Sequence, residues 1–599
     1  MWKNNFKIAW RNLVTNKVSA SINIFGLSVG LACCILMAMF VLHELSFDKF
    51  HKGAANIFRV TSIAEGGPSG KINLAVTPAA WAPLIQKDYP EVKQVVRVLK
   101  DEKTLLGRTG KEHAFSKNLL LVDSNFFKVF SFKLLRGNAD ALSQPNTIVL
   151  TQQAAKKYFG KEDPIGKTLE CNTGFTGTIN VQVTGIADEP SPNSHMTFDA
   201  LLSMSTLGDI SQLWSYHMHH TYVLLAKGSS QKTLESKLAS FSKKYIDNNP
   251  NADGKQEIHL QPLTDIHLHS QLVGELQANG DITYVYIFSG IALFVLLIAC
   301  LNFMNLSTVR SIKRAKEVGM RKVVGAERRQ LMKQFLSESL LVAFFALIVS
   351  IVIVILILPT FNQLSERTIH FNWKSNYKLI LSLIALTGIV GLLSGIYPAI
   401  VLSSFKPVEV LKGSFQKSRK GTLLRKALVT LQFVISITLI ASTILVYQQM
   451  QFIQNKKLGF DKEKVIIVTV ERNPDSVKLQ TFKTSLLNTP GVISVAAAAT
   501  IPSTQIPVNL IHDESSAINQ NRSMQMLFID HDFVNTLKMK VVEGRSFSTA
   551  YKTDESEGFI INREAVKQLG WQTPKKAIGK AFQWVMPDAV LKSGKIIGV

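Results

Sequence analysis

Five stretches of this chain contain no Asp, Glu, Lys, Arg or His: residues 20–42, 285–303, 339–358, 379–401 and 427–447. A helix needs about 20 mostly apolar residues to cross a hydrocarbon layer of about 30 Å. Lipid, moreover, admits only segments whose backbone polar groups bond among themselves. One such stretch could equally be the buried core helix of a soluble protein, but five in a chain that is 18% charged point to a bilayer. The predicted spans, including their polar shoulders, are 20–43, 284–306, 336–359, 378–402 and 427–449.

Charge fixes the expected orientation. Residues 1–19 carry +4, residues 307–335 carry +7 and residues 405–426 carry +6, together 17 of the net +24. Short loops rich in Lys and Arg stay in the cytoplasm. That rule places residues 1–19, the 307–335 segment and the 403–426 linker inside, and residues 44–283, 360–377 and 450–599 outside. The three basic segments fall on one side without conflict, an independent check on the number of spans. The expected location is the bacterial inner membrane, multi-pass, with a cytoplasmic N-terminus. Membrane lipid is the expected surrounding, and the basic balance gives no reason to expect nucleic acid. The first apolar run has 23 residues, longer than the roughly 7–15 of a cleaved signal. Ahead of it Trp2, Phe6, Trp10 and Leu13 recur at helical spacing with Lys3, Lys7 and Arg11 between them. This is the pattern of an amphipathic helix lying in the interface.

The outer segments repeat. LVDSNFFKVFSFKLLRG, IVLTQQAAKKYFG and PIGKTL, between Leu121 and Leu169, return as FIDHDFVNTLKMKVVEG, FIINREAVKQLGW and AIGKAF between Phe528 and Phe582. Asp123 matches Asp530, Phe127 matches Val534, Gly137 matches Gly544 and Gly166 matches Gly579. Each copy follows an apolar span, so the repeated unit is a helix plus a domain. Thr147–Leu150 and Val181–Ile186 read as strands, and TQQAAKKYFG reads as a helix closed by Gly160. The expected fold is a polytopic α-helical membrane protein with two mixed α/β extracytoplasmic domains, built from a duplicated helix-plus-domain unit. Asp123 to Tyr284 is 161 residues, whereas Asp530 to Val599 is 69, so the second domain is expected to be about 92 residues short of the first. Cys33, Cys34 and Cys300 lie in spans, which leaves Cys171 without a disulfide partner in its domain.

No constellation survives as catalytic. GKEDPIGKT, from Gly160 to Thr168, puts five residues between its glycines where a phosphate-cradling loop needs four, follows a helix, and lies outside the cell. His217, His219 and His220, with His267 and His269, place imidazoles on one strand face, as zinc sites do. No acid or thiol matches their spacing, and no metal is expected. Asn302 and Asn305, one helical turn apart, could bond across helices. Gly388, Gly391 and Gly395, followed by Pro398, suit close packing and a kink, within the bundle or at a dimer interface. Glu338 enters its span near the inner end, as a functional group or as an interfacial salt bridge. Gly319 and Gly325 interrupt a helical run around Met320, Arg321, Lys322, Val323 and Val324, forming a basic-apolar elbow suited to a partner's groove.

Several motifs carry a resemblance: FKIAWRNLVTNKVSASINIFGLSVGL, HELSFDKFH, DYPEVKQVVRV, IACLNFMNLST, EVGMRKVVGAERRQLMKQFLSESLL and SGIYPAIVLSSFKPVEVLKG. Together they make the chain similar to a permease of the MacB/FtsX-like ABC transporter class, in the long form with two outer domains common in Bacteroidetes-type bacteria. The resemblance implies a non-catalytic half-transporter that pairs with a second permease chain, identical or not, with three further helices beyond Val599. It implies a separate cytoplasmic ABC ATPase that carries the ATP and Mg, so no cofactor is expected on this chain. A periplasmic adaptor and an outer-membrane channel are further expected partners. Glu317, Gly319, Arg321, Lys322, Gly325 and Ala326 correspond to the family's coupling helix. The expected function is mechanical transmission of hydrolysis to the outer domains, for export or extraction of a hydrophobic, peptide or lipoprotein cargo. The alternative is an FtsX-like protein that activates an envelope enzyme without transport.

Overall fold

The computed structural model describes residues 10–599 apart from 12–13, 16, 66–70, 102–103, 109–113, 117, 215, 248, 251, 253–254, 314, 371–376, 405–418, 471–475, 503–505, 507, 514–521 and 587–588. The helical part comprises α1 (Lys17–Glu44), α2 (Ile282–Lys313), the short α3 (Ala315–Val323), α4 (Arg328–Ser365), α5 (Tyr377–Ser404) and α6 (Arg419–Asn455). All but α3 are long and apolar enough to cross a membrane. Hydroxyls inside these helices have no water to bond in lipid and turn back on their own helix. Ser28 donates to the Ile24 carbonyl, Ser289 to that of Val285 and Thr387 to that of Leu383, at 2.6–2.8 Å.

Apolar side chains gain little by leaving lipid for one another, so helix association depends on close approach at small residues. A Cβ on Gly30 of α1 would stand 2.5 Å from the Ala299 Cβ of α2. One on Gly391 would stand 3.1 Å from the Ala343 Cβ of α4, and one on Gly395 would stand 2.6 Å from Ser339 Oγ. Gly391 and Gly395 therefore join α5 to α4 within the chain, whereas Gly388 faces open space. Pro398 lies inside α5. On α2, the Asn302 amide sits 3.4 Å from a Cβ built on Gly26 of α1. Asn305 is half-buried one turn further on. Leu27, Leu31, Ala299, Cys300, Ala343, Ala346 and Val390 fill the space between the four helices. Helix α6 lies against α2 with its apolar span uncovered by the described residues. Trp10 packs on Phe345 of α4 with ring centroids 5.6 Å apart. Trp2 and Phe6, the first two members of the N-terminal amphipathic pattern, and Leu13 lie outside the described residues.

Between α1 and α2, thirteen strands among the described residues form one mixed sheet. The first, Ile57–Glu65, is flanked antiparallel by His220–Leu225 and Gln256–Pro262. Pairing the start of the domain with its end brings both membrane connections to one part of the sheet. Further across, Leu119–Val122 lies parallel to Ala200–Ser203, which pairs antiparallel with Thr147–Thr151. These three short strands are buried at every residue, as covered strands are. The expected helix spans Gln152–Phe159: Thr151 Oγ1 accepts from Ala154 N–H at its start and Gly160 closes it at φ 63°.

The second soluble segment repeats this local geometry. Asp123 N–H donates to the Arg97 carbonyl while its carboxylate accepts from Arg97 N–H at 2.7 Å. Asp530 makes the same exchange with Ala497, its carboxylate accepting at 2.8 Å. Gly166 N–H bonds the Val183 carbonyl and Gly579 N–H bonds the Ile596 carbonyl, both at 2.8 Å. Thr147–Thr151 runs parallel to Gly177–Ala187, as Gly558–Ile560 does to Ala589–Gly598. Gly137 and Gly544 both take positive φ, 93° and 77°, where a Cβ would strike the neighbouring strand. The strand holding Leu121 is paired on both sides, whereas Phe528 at the matching position is 38% exposed.

Overpacking at the α4–α5 crossing gives a direct check. Gly395→Leu should lower stability by about 1–3 kcal/mol, whereas Gly388→Leu, with open space around it, should be tolerated. Thermal unfolding of both variants in detergent measures the difference; equal midpoints would contradict this packing.

Candidate transmission site

Two regions bear on how motion could pass along the helices: a corner at the basic end of the bundle and the seam where α1 and α2 meet the first domain. The corner is built by two caps. Ala326 N–H bonds the Arg321 carbonyl and Gly325 N–H bonds that of Lys322, the Schellman closure of a helix on a left-handed glycine. Gly325 takes φ +100°. Two residues later Glu327 caps α4 in a reciprocal capping box with Gln330. Only Gly325 breaks the helix; Gly319, expected to be a second break, lies inside α3. An internal glycine costs only about 1 kcal/mol, which neighbouring packing can absorb.

The two faces of α3 are reversed relative to the expected basic surface. Val318 packs inward with Leu331 and Phe335 of α4 and Ala399 of α5. Lys322 Nζ donates to the Ser403 carbonyl at 2.7 Å, and Arg328 Nε donates to Ser403 Oγ at 3.2 Å. Both thereby satisfy and neutralise the negative C-terminal end of α5. Arg321 Nη1 donates to Gln334 Oε1 at 2.9 Å, and Gln334 Nε2 donates to Glu338 at 3.3 Å. Glu338 is thus joined to the corner through an amide. What faces outward is apolar: Met320, Val323 and Val324 are 58%, 62% and 83% exposed. Glu317 lies on α3.

At the other end, α1 leads into Asp48, which is fully buried at φ 58°. Its carboxylate accepts from Ser194 Oγ and His195 N–H, both at 3.2 Å, and lies 2.9 Å from His195 Nδ1. His195 Nε2 meets the Tyr222 hydroxyl at 2.8 Å. Burial opposes ionisation of Asp48, but His195 and His51 hold its carboxyl below the usual range. The strand-to-α2 linker is fixed as firmly. Arg59, fully buried, reaches both carboxylate oxygens of Glu275, Gln261 Oε1 and Ser270 Oγ at 2.5–3.0 Å. Lys100 Nζ holds the Leu276 carbonyl, and Gln277 Nε2 donates to the Ser194 carbonyl at 2.7 Å. Ser194 therefore bonds both the exit of α1 and the entry of α2. Asp281 then caps α2 by accepting from Thr283 N–H at 2.7 Å.

Of the histidines considered as ligands, His269 is exposed and the others pack within the first domain and its seam. His219 and His220 are buried beside the paired strands, His217 Nε2 meets Gln256, and His267 is buried where α1 leaves the bundle. Among the described residues no three His, Cys, Asp or Glu side chains converge on a common point. In GKEDPIGKT, Gly160 is a helix cap and Lys167 pairs with Glu162. Sequence reasoning missed Asp48, His195, Arg59 and Glu275. Only the HELSFDKFH motif marked any of them.

Burial has a consequence for acid stability. It pushes His51 down to about 4 against the attraction of Asp48, and pushes His219, beside Arg97, to about 4 as well. Unfolded histidine binds its proton near pH 6.5, so between about pH 6.5 and 4 the unfolded chain holds more protons and stability falls as pH falls. Asp48, with its depressed value, adds a loss in the same direction at lower pH. The unfolding midpoint of the full chain in detergent should drop across that window, by at most roughly 3 kcal/mol per such histidine. His51→Phe should flatten the profile. A flat wild-type profile would contradict the buried neutral imidazoles.

Residues 20–241 match the family model described as the MacB-like periplasmic core domain, and residues 289–407 match that of the FtsX-like permease C-terminal domain. The macrolide export ATP-binding/permease protein MacB of Chlorobium luteolum is 23% identical over 417 residues, 67% of this chain and 59% of that protein. An uncharacterised ABC transporter permease of Bacillus subtilis, YknZ, is 22% identical over 302 residues, 49% of this chain and 68% of its own length. The crystallised periplasmic region of MacB from Actinobacillus actinomycetemcomitans matches 35% of this chain and 90% of that one, with 17% identity and a TM-score of 0.25. The chain thus spans less than two thirds of the Chlorobium luteolum protein, and it spans 43% of the length of MacB 2 from Aeromonas hydrophila. Carrying the core domain and the permease domain in succession, between and along its apolar helices, the chain belongs to the MacB/FtsX-like permeases of ABC transporters.

Proposed function

We propose that this chain is the membrane-spanning, non-catalytic subunit of an ABC transporter complex, which converts hydrolysis on a separate ATPase into movement of outer domains. The observation that carries the reading is the corner at Gly325. Two adjoining caps fix its shape, three basic side chains tie it to α4 and α5, and Met320, Val323 and Val324 are left facing outward. An exposed apolar knob on a fixed base, at the basic end of the helices, is a surface suited to a groove on a cytoplasmic partner. Within the coupling set of Glu317, Gly319, Arg321, Lys322, Gly325 and Ala326, Gly325 and Ala326 shape the corner and Arg321 and Lys322 anchor it. The basic segments support an inside position for this end, and on this reading the chain lies in the inner membrane with both α/β domains in the periplasm.

Transmission rather than conduction fits the spans, which contain no Asp, Glu, Lys, Arg or His through five apolar segments. Polar conduits in membranes are lined by such residues. The domain seam around Ser194 fits as well, since it leaves the first domain little freedom to move independently of α1 and α2. The matching Asp123 and Asp530 exchanges support a duplicated helix-plus-domain unit. The uncovered span of α6 leaves room for lipid or for a second permease chain. Export or extraction of a hydrophobic, peptide or lipoprotein cargo, with a periplasmic adaptor and outer-membrane channel, follows the export role named for the MacB relatives. The match to the FtsX-like domain favours one second reading, a regulator of an envelope enzyme that moves the same domains without cargo.

Co-purification tests the docking surface. Met320→Asp with Val324→Asp should cut recovery of the cognate ATPase, encoded beside this chain or co-expressed with it, by about tenfold or more, the loss expected when a buried apolar contact becomes charged. Stimulated ATPase activity should fall in parallel while the chain's melting profile is unchanged. Undiminished association in the double variant would overturn the assignment.

A further inference from the structure

The exit of α1 holds a second buried carboxylate whose partners come from two other parts of the chain. Glu44, at the C-terminus of α1, is 3% exposed. Its Oε1 accepts from Arg367 Nε at 2.8 Å, and its Oε2 lies 2.7 Å from His267 Nε2. His267 belongs to the turn Ile266–His269 at the end of the first domain. Its ring is stacked on Phe47 at 3.4 Å with the planes 4° apart. Arg367 stands in the corner joining α4 to α5, and its guanidinium also lies over Phe47. Gly280, just before α2, closes the group: a Cβ there would stand 2.8 Å from Glu44 Oε2 and 2.9 Å from His267 Nε2.

Arg367 is held in place rather than draped. Glu366 ends α4 in the left-handed region at φ 51°, and Arg367 N–H bonds the Asn362 carbonyl. The Asn362 side chain bonds both the N–H and the carbonyl of Ile369, at 3.2 and 2.9 Å. The α4–α5 hairpin is therefore pinned at both ends. Its basic end is tied to α3 through Lys322 on Ser403 and Arg321 on Gln334, and its other end is tied to α1 and the first domain through Arg367. Helix α4 has 38 residues, with Pro359 inside its outer part, and spans about 57 Å at 1.5 Å per residue, so one continuous helix connects the two sites. A buried ion pair contributes little net stability, but removing one partner strands a charge, so such a pair resists separation.

From this geometry we infer that Arg367, Glu44 and His267 form the joint through which displacement of the α4–α5 hairpin is delivered to α1 and the first domain. The inference rests on the mechanical reading above and assigns it positioning residues. Helices α1 and α2 can also carry motion along themselves; the joint adds a bonded cross-link from the α4–α5 hairpin to α1 and the first domain.

Hydrogen exchange of the full chain in nanodiscs tests it without the ATPase. Gly325→Trp forces an unfavourable conformation at the inner corner and serves as the perturbation. The readout is exchange over residues 266–281, compared between Gly325→Trp alone and Gly325→Trp combined with Arg367→Gln, each against its own background. We expect about a threefold or larger change in exchange from the perturbation in the wild-type background, abolished by Arg367→Gln and restored by Arg367→Lys. Gly280→Val, which pushes Glu44 from His267 without deleting a charge, should abolish it too and stands in if Arg367→Gln does not fold. A response that persists in both joint variants overturns the joint while leaving transmission standing. A response absent from the wild-type background overturns transmission itself, and the joint with it.

Discussion

A carboxylate removed from water must keep its hydrogen-bond partners or lose its charge, and three carboxylates are in that position where the helices meet the first domain. Glu44 and Asp48 are buried and Glu275 is half-buried, and each is satisfied by groups distant in sequence. Together they decide which surfaces must stay in contact. The apolar helices cannot do this alone, because in lipid their side chains gain little from one another and their contacts amount to small-residue crossings such as Gly30 against Ala299. The bundle is consequently specified less by its spans than by its ends.

That arrangement gives the molecule a mechanical character. Along the spans the helices can slide or tilt at modest cost, since the contacts there are unbonded surfaces. At the seam they cannot, since Ser194 joins the exit of α1 to the entry of α2, and Arg59 locks the linker against the sheet through Glu275. Compliance along the middle and rigidity at both ends is what a relay between two discrete packings requires. The inner corner follows the same rule: caps at Gly325 and Glu327 set its angle, and Ser403 receives two cations.

Much of this was legible in the sequence, and the remainder was hidden for identifiable reasons. The five long apolar helices, the helix Gln152–Phe159 with Gly160 behind it, and the strands at Thr147 and Val181 rest on local pattern and are present, and the repeat is read from the same kind of pattern. The seam is not local. Asp48 finds His195 147 residues away, Arg59 finds Glu275 216 residues away, and Glu44 finds Arg367 323 residues away. No periodicity signals such partners. Gly319 and Gly325 look alike as letters, but only the second carries the positive φ that ends a helix. Arg321 and Lys322 read as surface charge because cations usually face water. Here the carbonyl end of α5 and the Gln334 amide draw them inward, which turns Met320, Val323 and Val324 outward.

A seam bonded in this way requires the first domain and the domain-side ends of α1, α2 and α4 to move as one body. Electron–electron distance measurements reach that requirement without an intermediate, with spin labels at Leu364 on α4 and Lys128 on the first domain, in the proposed complex with an ATPase before and after nucleotide binding. A single rigid body gives a narrow Leu364-to-Lys128 distribution that does not change, while the distance between Lys128 labels on the two chains of the proposed pair shifts. A Leu364-to-Lys128 distance that broadens or moves with nucleotide would show a domain hinged freely on its helices, and would contradict the rigid seam.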